Sequence, residues 1–350
     1  MSAASREHVR AVIAAAIGAD RARDPRDPDD RVDDLLPAAV ARPASAAEVA
    51  ALLAAAARES IAVIPSAGGT KRSFGAAPER ADLLLDLTAL AAVKDWSPRD
   101  GVLVVEPAVA VASAEAHVRA DSRTLANDWP NPARGTLGGA AAVGRMPIDR
   151  LGPAGPRWSV IGMKVAHCDG TLANHGARVA KNVAGLDLPR LHVGALGTLG
   201  VIVELTVRTR PSATVAEAIS ANADAPAEVE ARVPPQHLDA LVGAIAPRTG
   251  RPEALAWMRV EPATGAAQLG FHAGRGDSPA LDGFRDWLAR ARAAARSFGG
   301  YLLVTRAPAA WKRAIDVWGE PPAAIALMRK LKKLYDPERI LNPGRFVGGI

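Results

Sequence analysis

The sequence predicts an α+β fold in more than one domain, and three observations carry that reading. At 350 residues the chain exceeds a comfortable single core. Short, wholly apolar runs such as Ile61 to Ile64 and Val102 to Val105 are separated by loops of small residues, the pattern of strands buried on both faces. Beyond Pro211 the pattern becomes strand, helix, two strands, helix and strand, which is the order of a split β-α-β unit with its helices on one face of an antiparallel sheet.

Composition narrows the function. Hydrophobic residues make up 49%, as in a soluble globular protein, and 43 basic against 37 acidic residues leave a mild excess of +6. Nucleic acid is not indicated, because aromatics are only 4% and no basic stripe is interleaved with them. Cys168 is the single cysteine, so neither an intramolecular disulfide nor a cysteine metal site can form, and it reads as a packing residue. The expected setting is cytoplasmic and reducing, extending to a peripheral position at the inner face of a membrane. No apolar run approaches the roughly 20 residues that span a bilayer. Ala11 to Ala19 has the length of a signal h-region, but Glu7 sits where a leader is basic and Val9, Val12, Ile13 and Ile17 share one helical face. A first helix from Arg6 to Ile17, ending at Gly18, is expected instead.

Arg21 to Asp34 is charged and holds Pro25 and Pro28, a polar connector. Ser45 and Glu48 form a capping box for a helix of about four turns with Val49, Leu52, Leu53 and Ala56 inward. That helix delivers the chain to the Ile61 strand, which Pro65 is expected to end. Further strands are expected at Leu83 to Leu85 and Val102 to Val105, and a helix from about Ser113 to Ala120. Trp158 to His167 and Thr171 to Ala177 read as a hairpin about Asp169-Gly170, a pair suited to a type I′ turn. Val201 to Arg208 alternates as a strand. After it come a strand near Val215 to Ile219, a helix Pro235 to Ile245, strands Ala254 to Val260 and Ala267 to His272, a helix Leu281 to Phe298 and a strand Tyr301 to Thr305. The last helix, Pro322 to Leu334, should place Ile325, Met328 and Leu331 inward and leave Arg329, Lys330, Lys332 and Lys333 on a solvated face.

The chemistry is expected in the loops. Ser66-Ala67-Gly68-Gly69-Thr70-Lys71 follows the Ile61 strand, and its paired glycines allow positive φ, so that successive N-H groups can face one anion. Neither the Walker spacing nor G-x-G-x-x-G occurs there, and Phe74, Gly75 and Pro78 prevent a following helix. Gly135-Thr136-Leu137-Gly138-Gly139-Ala140 reads as a second small-residue loop. No Ser-His-Asp set, HExxH or paired-carboxylate signature is present, so no catalytic side chain is assigned. His237 and His272 are far apart, no metal-ligand set is read, and Arg259 is one candidate for a substrate carboxylate.

These two loops, together with Lys181 to Arg190, Gly194 to Ile202 and the closing Tyr335-Asp336-Pro337 and Ile340-Leu341-Asn342-Pro343-Gly344-Arg345, resemble the PCMH-type FAD-binding domain of the vanillyl-alcohol oxidase and p-cresol methylhydroxylase family. The likeness is strongest to the FAD-binding subunits of bacterial glycolate oxidases, and it covers Pro37 to Pro211 and Leu331 to Phe346. It implies a two-subdomain FAD-binding domain over residues 37–212, preceded by a helix and connector over 1–36. A small ferredoxin-like cap would occupy 213–320, with a C-terminal helix and tail, 321–350, packing back. Ser66, Ala67, Gly68, Gly69, Thr70 and Lys71 would cradle the FAD pyrophosphate. Thr136, Leu137, Gly138 and Gly139 would approach the diphosphate and ribityl chain. Val201 and Ile202 would meet the adenine end through main-chain atoms, helped by the Thr198 hydroxyl, and Asn342 would join from the closing signature.

Some relatives bond FAD to a histidine just after the first loop, where this chain has Thr70, Lys71 and Arg72, so noncovalent FAD is implied. Two departures stand out: Leu186 where the family usually has Tyr, and Ala67 where it commonly has Gly. The implied activity is oxidation of glycolate or another small 2-hydroxy acid in a complex with a larger FAD-linked oxidase subunit and an iron-sulfur subunit. A flavin-free scaffold of that complex and a stand-alone FAD oxidoreductase on another alcohol or hydroxy acid remain as alternatives.

Overall fold

The computed structural model describes residues 5–125, 135–145, 155–177, 187–212, 225–245, 255–272 and 278–350. The expected strand Val215 to Ile219, the Lys181 to Leu186 segment and the Leu186 departure fall outside them.

Helix α1 (Arg6–Ile17) is capped by Ser5 and buries Val9 and Ile13 against α2 (Ala46–Arg58). The Ser45 hydroxyl accepts the Glu48 N-H at 3.1 Å, as the capping box requires. The Glu48 carboxylate reaches one residue further back than expected, to the Ala44 N-H at 2.8 Å. All four expected inward residues of α2 are buried, each large one contributing about 1.5–3 kcal/mol. They cover a sheet of β1 (Ala22–Arg23), β2 (Ala39–Ala41), β3 (Val63–Ser66) and β4 (Leu83–Asp86), in the order β1-β2-β4-β3, parallel except for β1.

Pro65 does not end its strand. In β3 the ladder to β4 runs through residues of even number: Ala62 O accepts from Leu83 and Ser66 O from Leu87. Val63 instead bonds outward, to Ile340 O and from Asn342 N. Pro65 shares the outward orientation of Val63, so its missing N-H removes no bond to β4.

The second sheet joins β5 (Val93–Ser97), β6 (Val102–Val105), β8 (Val160–Ala166), β9 (Leu172–Gly176) and β10 (Val201–Pro211) in the order β5-β6-β10-β8-β9, with β7 (Arg123–Leu125) on the far end of β10. Helices α3 (Val111–Arg119), α4 (Leu137–Val143), α5 (Pro156–Ser159) and α6 (Pro189–His192) accompany it. Strand β5 escaped sequence reading because it is an exposed edge strand carrying Lys94 and Asp95, which blunt an edge but erase an apolar pattern. The β8–β9 turn is not type I′. Gly170 has φ +87°, Asp169 has no positive φ, and Gly170 N-H bonds His167 O, which is a type I turn followed by a left-handed glycine.

The third sheet has β11 (Ala227–Arg232), β12 (Leu255–Glu261), β13 (Ala266–Phe271) and β14 (Tyr301–Arg306) in the antiparallel order β12-β13-β11-β14, the ferredoxin-like arrangement. Helices α7 (Leu238–Ile245) and α8 (Ser278–Ser297) belong to this unit, and α7 packs with α8 around Leu241, Phe284 and Leu288. Helix α9 (Ala309–Ala314) then ties the sheet to the first lobe, where the buried Lys312 Nζ reaches Asp33 Oδ1 at 2.7 Å and the Ser73 carbonyl.

The C-terminal helix α10 (Ile325–Tyr335) corrects the sequence reading of its basic face. Lys332 is buried, and its ammonium donates to Asp336 Oδ2 at 2.6 Å, Leu341 O at 2.8 Å and Thr198 O at 2.9 Å. Its four-carbon stem lets a residue at the edge of the apolar stripe bury its length and bring its charge to carbonyls. Asp336, with no exposure, also accepts the Ile340 and Leu341 amides. Replacing Lys332 by Met strands that carboxylate, and urea unfolding of the variant should show a loss of about 3–5 kcal/mol.

Cys168 packs where the turn meets α10, its Sγ 2.9 Å from Tyr335 O. Burial, with Asp336 and Asp169 nearby, pushes its thiol up to about 11. Cys168 should therefore resist iodoacetamide at pH 8 in the folded chain and react fully in denaturant.

Candidate functional site

A groove runs between the first two lobes, and local sequence explains each wall. The first wall is the loop leaving β3. Among the described residues, the amides of Ala67, Gly68, Gly69, Thr70 and Lys71 donate to no protein acceptor. Five consecutive N-H groups without a protein acceptor, on residues that line the groove, are what an anion-binding concavity requires. Only Gly69 of the glycine pair adopts positive φ, at +70°. Arg72 braces the loop from behind through Ser66 Oγ, at 3.2 and 3.3 Å, and the Asp29 carbonyl.

The opposite wall is not the loop that the sequence suggested. Thr136 caps α4, its hydroxyl accepting the Gly139 N-H at 3.2 Å, and Leu137 to Val143 are helical. The two glycines in its first turn concealed the helix, and they serve different ends. A Cβ at Gly138 would lie 2.5 Å from Pro107 Cβ, so this glycine is required by helix packing, while Gly139 lines the groove. The floor comes from Leu196, Gly197, Val201 and Ile202.

The groove comprises two adjoining depressions, open to solvent, that share Pro65, Ser66, Ala67, Gly139, Ala142 and Leu196. Of the expected cofactor residues, Ser66, Ala67, Gly68, Gly69, Thr70, Lys71, Thr136, Gly138, Gly139, Val201 and Ile202 line one or both. Three do not. Leu137 is fully buried in the second-lobe core. Thr198 turns its hydroxyl inward to Ala195 O at 2.7 Å. Asn342 lies beneath the floor, donating to Leu196 O at 2.6 Å.

Two cations stand at this site, Arg345, which the sequence reading left out of the cofactor set, and Lys71, which it included. Arg345 lines the groove while almost fully buried, its guanidinium donating to Arg72 O, Phe74 O and Asn342 Oδ1. Its Nε has no protein partner, and burial with nearby Arg72 lowers the group to about 10. The Lys71 ammonium makes no hydrogen bond among the described residues. Burial, then the Arg145 and Arg306 charges, lower its pKa, and Glu228 opposes them. Arg145 crosses to the third sheet and pairs with Glu230, which Arg232 holds at 2.9 Å. Burial works to raise the Glu230 carboxyl, but Arg145 and Arg232 hold it below the ordinary range. Arg259 lies on β12, the outermost strand of that sheet, and is not part of the groove lining.

Residues 37–176 match the family described as FAD binding domain, and residues 318–346 match that of FAD linked oxidases, C-terminal domain. These two matched segments liken the chain to the FAD-linked oxidases. FAD is the cofactor of that family's binding domain, and the groove fits it: a row of free amides for a pyrophosphate, an orphaned guanidinium N-H and an apolar floor.

Relatives include a D-2-hydroxyglutarate dehydrogenase of Xanthomonas citri pv. viticola, 31% identical over 172 residues, which are 49% of this chain and 36% of the relative. An uncharacterized FAD-linked oxidoreductase of Mycobacterium tuberculosis is 31% identical over 177 residues, 50% of this chain and 38% of the relative. The glycolate oxidase subunit GlcD of Bacillus subtilis is 27% identical over 176 residues, 50% of this chain and 37% of the relative. The matches thus span little more than a third of the length of these curated relatives. An alkyldihydroxyacetonephosphate synthase structure shares the fold at a TM-score of 0.58 and 14% identity, over 99% of this chain and 87% of the other. Among the described residues no helix is long and apolar enough to cross a membrane.

A second constellation adjoins the groove floor and was not singled out from sequence. His167 follows β8, His175 lies on β9 and His192 ends α6. Burial, reinforced by the other two imidazoles, pushes His192 down to about 3. Burial and His167 lower His175 as well.

Replacing Gly69 by Val forces a β-branched residue to positive φ, with its Cβ 3.0 Å from the Arg72 guanidinium. The variant should bind FAD at least ~10-fold more weakly in an equilibrium titration while losing only about 1–3 kcal/mol of stability.

Proposed function

We propose that this chain is the FAD-binding oxidoreductase subunit of a glycolate or related 2-hydroxy acid oxidase complex. The row of free amides from Ala67 to Lys71, facing α4 across the groove, is the observation that carries the reading. FAD, when bound, supplies acceptance of a hydride or electrons. The chain's own residues do the rest. The amides of the first loop hold the pyrophosphate, Arg345 Nε adds a donor, and the apolar floor of Leu196, Val201 and Ile202 excludes water. The flavin is held without a covalent bond, since Thr70, Lys71 and Arg72 provide no imidazole after the loop.

The substrate class is supported by two relatives named for a 2-hydroxy acid, D-2-hydroxyglutarate or glycolate. The larger FAD-linked oxidase subunit and the iron-sulfur subunit are the proposed partners, the larger one binding substrate for turnover and this chain passing electrons.

The purified chain should be yellow, and acid precipitation should release all flavin to the supernatant. A colourless protein that takes up no added FAD would overturn the assignment, and a yellow pellet would overturn noncovalent binding. With an artificial acceptor, the chain alone should oxidise glycolate at no more than about a hundredth of the rate of the assembled complex.

A further inference from the structure

The histidines beside the groove are arranged as ligands. One ring nitrogen from each of His167, His175 and His192 lies within 4.8 Å of the others. Their ring centroids are separated by 6.0, 5.8 and 5.2 Å. His192 is 2% exposed, and the Nε2 atoms of both His175 and His192 are buried without a hydrogen-bonding partner. Leaving two imidazole nitrogens unsatisfied beside each other costs about 1–3 kcal/mol apiece, a cost that packing alone gives no reason to sustain. His167 Nδ1 lies 3.4 Å from Leu199 O, and the tautomer that donates there carries its lone pair on Nε2. A backbone carbonyl on the far ring nitrogen is the usual way in which a ligating histidine is aimed.

We propose that His167, His175 and His192 bind one divalent transition-metal ion, with zinc the preferred occupant, through their Nε2 atoms. Three imidazoles suit zinc in a tetrahedral site whose fourth position is open to water. Binding at about 2.0–2.1 Å brings the three nitrogens to roughly 3.4 Å from one another, a closure that rotation about the soft imidazole torsions supplies. Neutral imidazoles give up no proton on binding, so the site fills at neutral pH. The ion clips together the end of β8, strand β9 and helix α6, and through Leu199 it fixes the turn that carries the groove floor. Tyr335 stands against the cluster, its ring 5.3 Å from that of His167 and 5.8 Å from that of His192, and joins the site to α10.

The test uses the full chain, freed of any polyhistidine tag and stripped with EDTA, titrated with zinc sulfate by calorimetry and with cobalt(II) by visible spectroscopy. The expected result is about one equivalent bound, ligand-field bands of tetrahedral cobalt and a zinc-dependent rise in the thermal midpoint. Loss of a group that merely aims a ligand costs ~10–100-fold in affinity, so His175→Ala, at a half-buried position, should cost more than about 100-fold and abolish the rise. His237→Ala, outside the cluster, should bind as the parent does. His167→Gln repeats the test should His175→Ala fail to fold. No stoichiometric binding by the parent, or an equivalent retained by a folded cluster variant, overturns the proposal. Because calorimetry does not read the flavin, the outcome is independent of FAD binding.

Discussion

The grip of the C-terminal tail on backbone carbonyls is the interaction on which the rest of this structure depends. Arg345 holds Arg72 O and Phe74 O, Asn342 holds Leu196 O, and Lys332 holds Thr198 O and Leu341 O. The first pair belongs to the chain just past the anion loop, and the Leu196 and Thr198 carbonyls belong to the turn under the groove floor. Two segments more than a hundred residues apart are thus fixed by side chains from the last twenty. Charged donors suit this task, since bonds from ionised groups to carbonyls are stronger than neutral ones and the surrounding burial shields them from water.

That grip explains why the anion loop can leave five amides unpaired. A flexible loop with unsatisfied N-H groups would fold over its own carbonyls or reach water, and the concavity would be lost. Here Arg72 props the loop from Ser66, Arg345 fixes the chain that follows it, and β3 is pinned on its outer edge by Ile340 and Asn342. Order imposed from the tail replaces the order that a ligand would otherwise have to induce, so binding costs less. The same tail passes the three histidines through Tyr335, so both candidate sites share one support.

The core was legible because its physics is local. Val49, Leu52, Leu53 and Ala56 repeat at helical spacing, Val102 to Val105 is an unbroken apolar run, and Ser45 with Glu48 announces a helix start, so these elements are found where they were expected. The FAD family was legible because glycine-rich loops keep their spacing. What escaped depends on contacts across the chain. Gly138 and Gly139 in the first turn of α4 read as a loop because nothing nearby discloses the approach of Pro107. Lys332 read as solvated because the Thr198 carbonyl, 134 residues away, becomes its partner only when the tail folds back. His167, His175 and His192 are spread over 26 residues on three elements, with no spacing that marks a ligand set.

The central claim is that backbone amides of the first loop hold the pyrophosphate of the cofactor. Titrating the flavin-stripped chain with FAD and with riboflavin, which has the same ring system but neither the pyrophosphate nor the adenosine, measures what that half of the cofactor contributes. Charge-assisted bonds from several amides predict that FAD binds at least ~100-fold more tightly. Equal affinity for the two ligands would contradict the account.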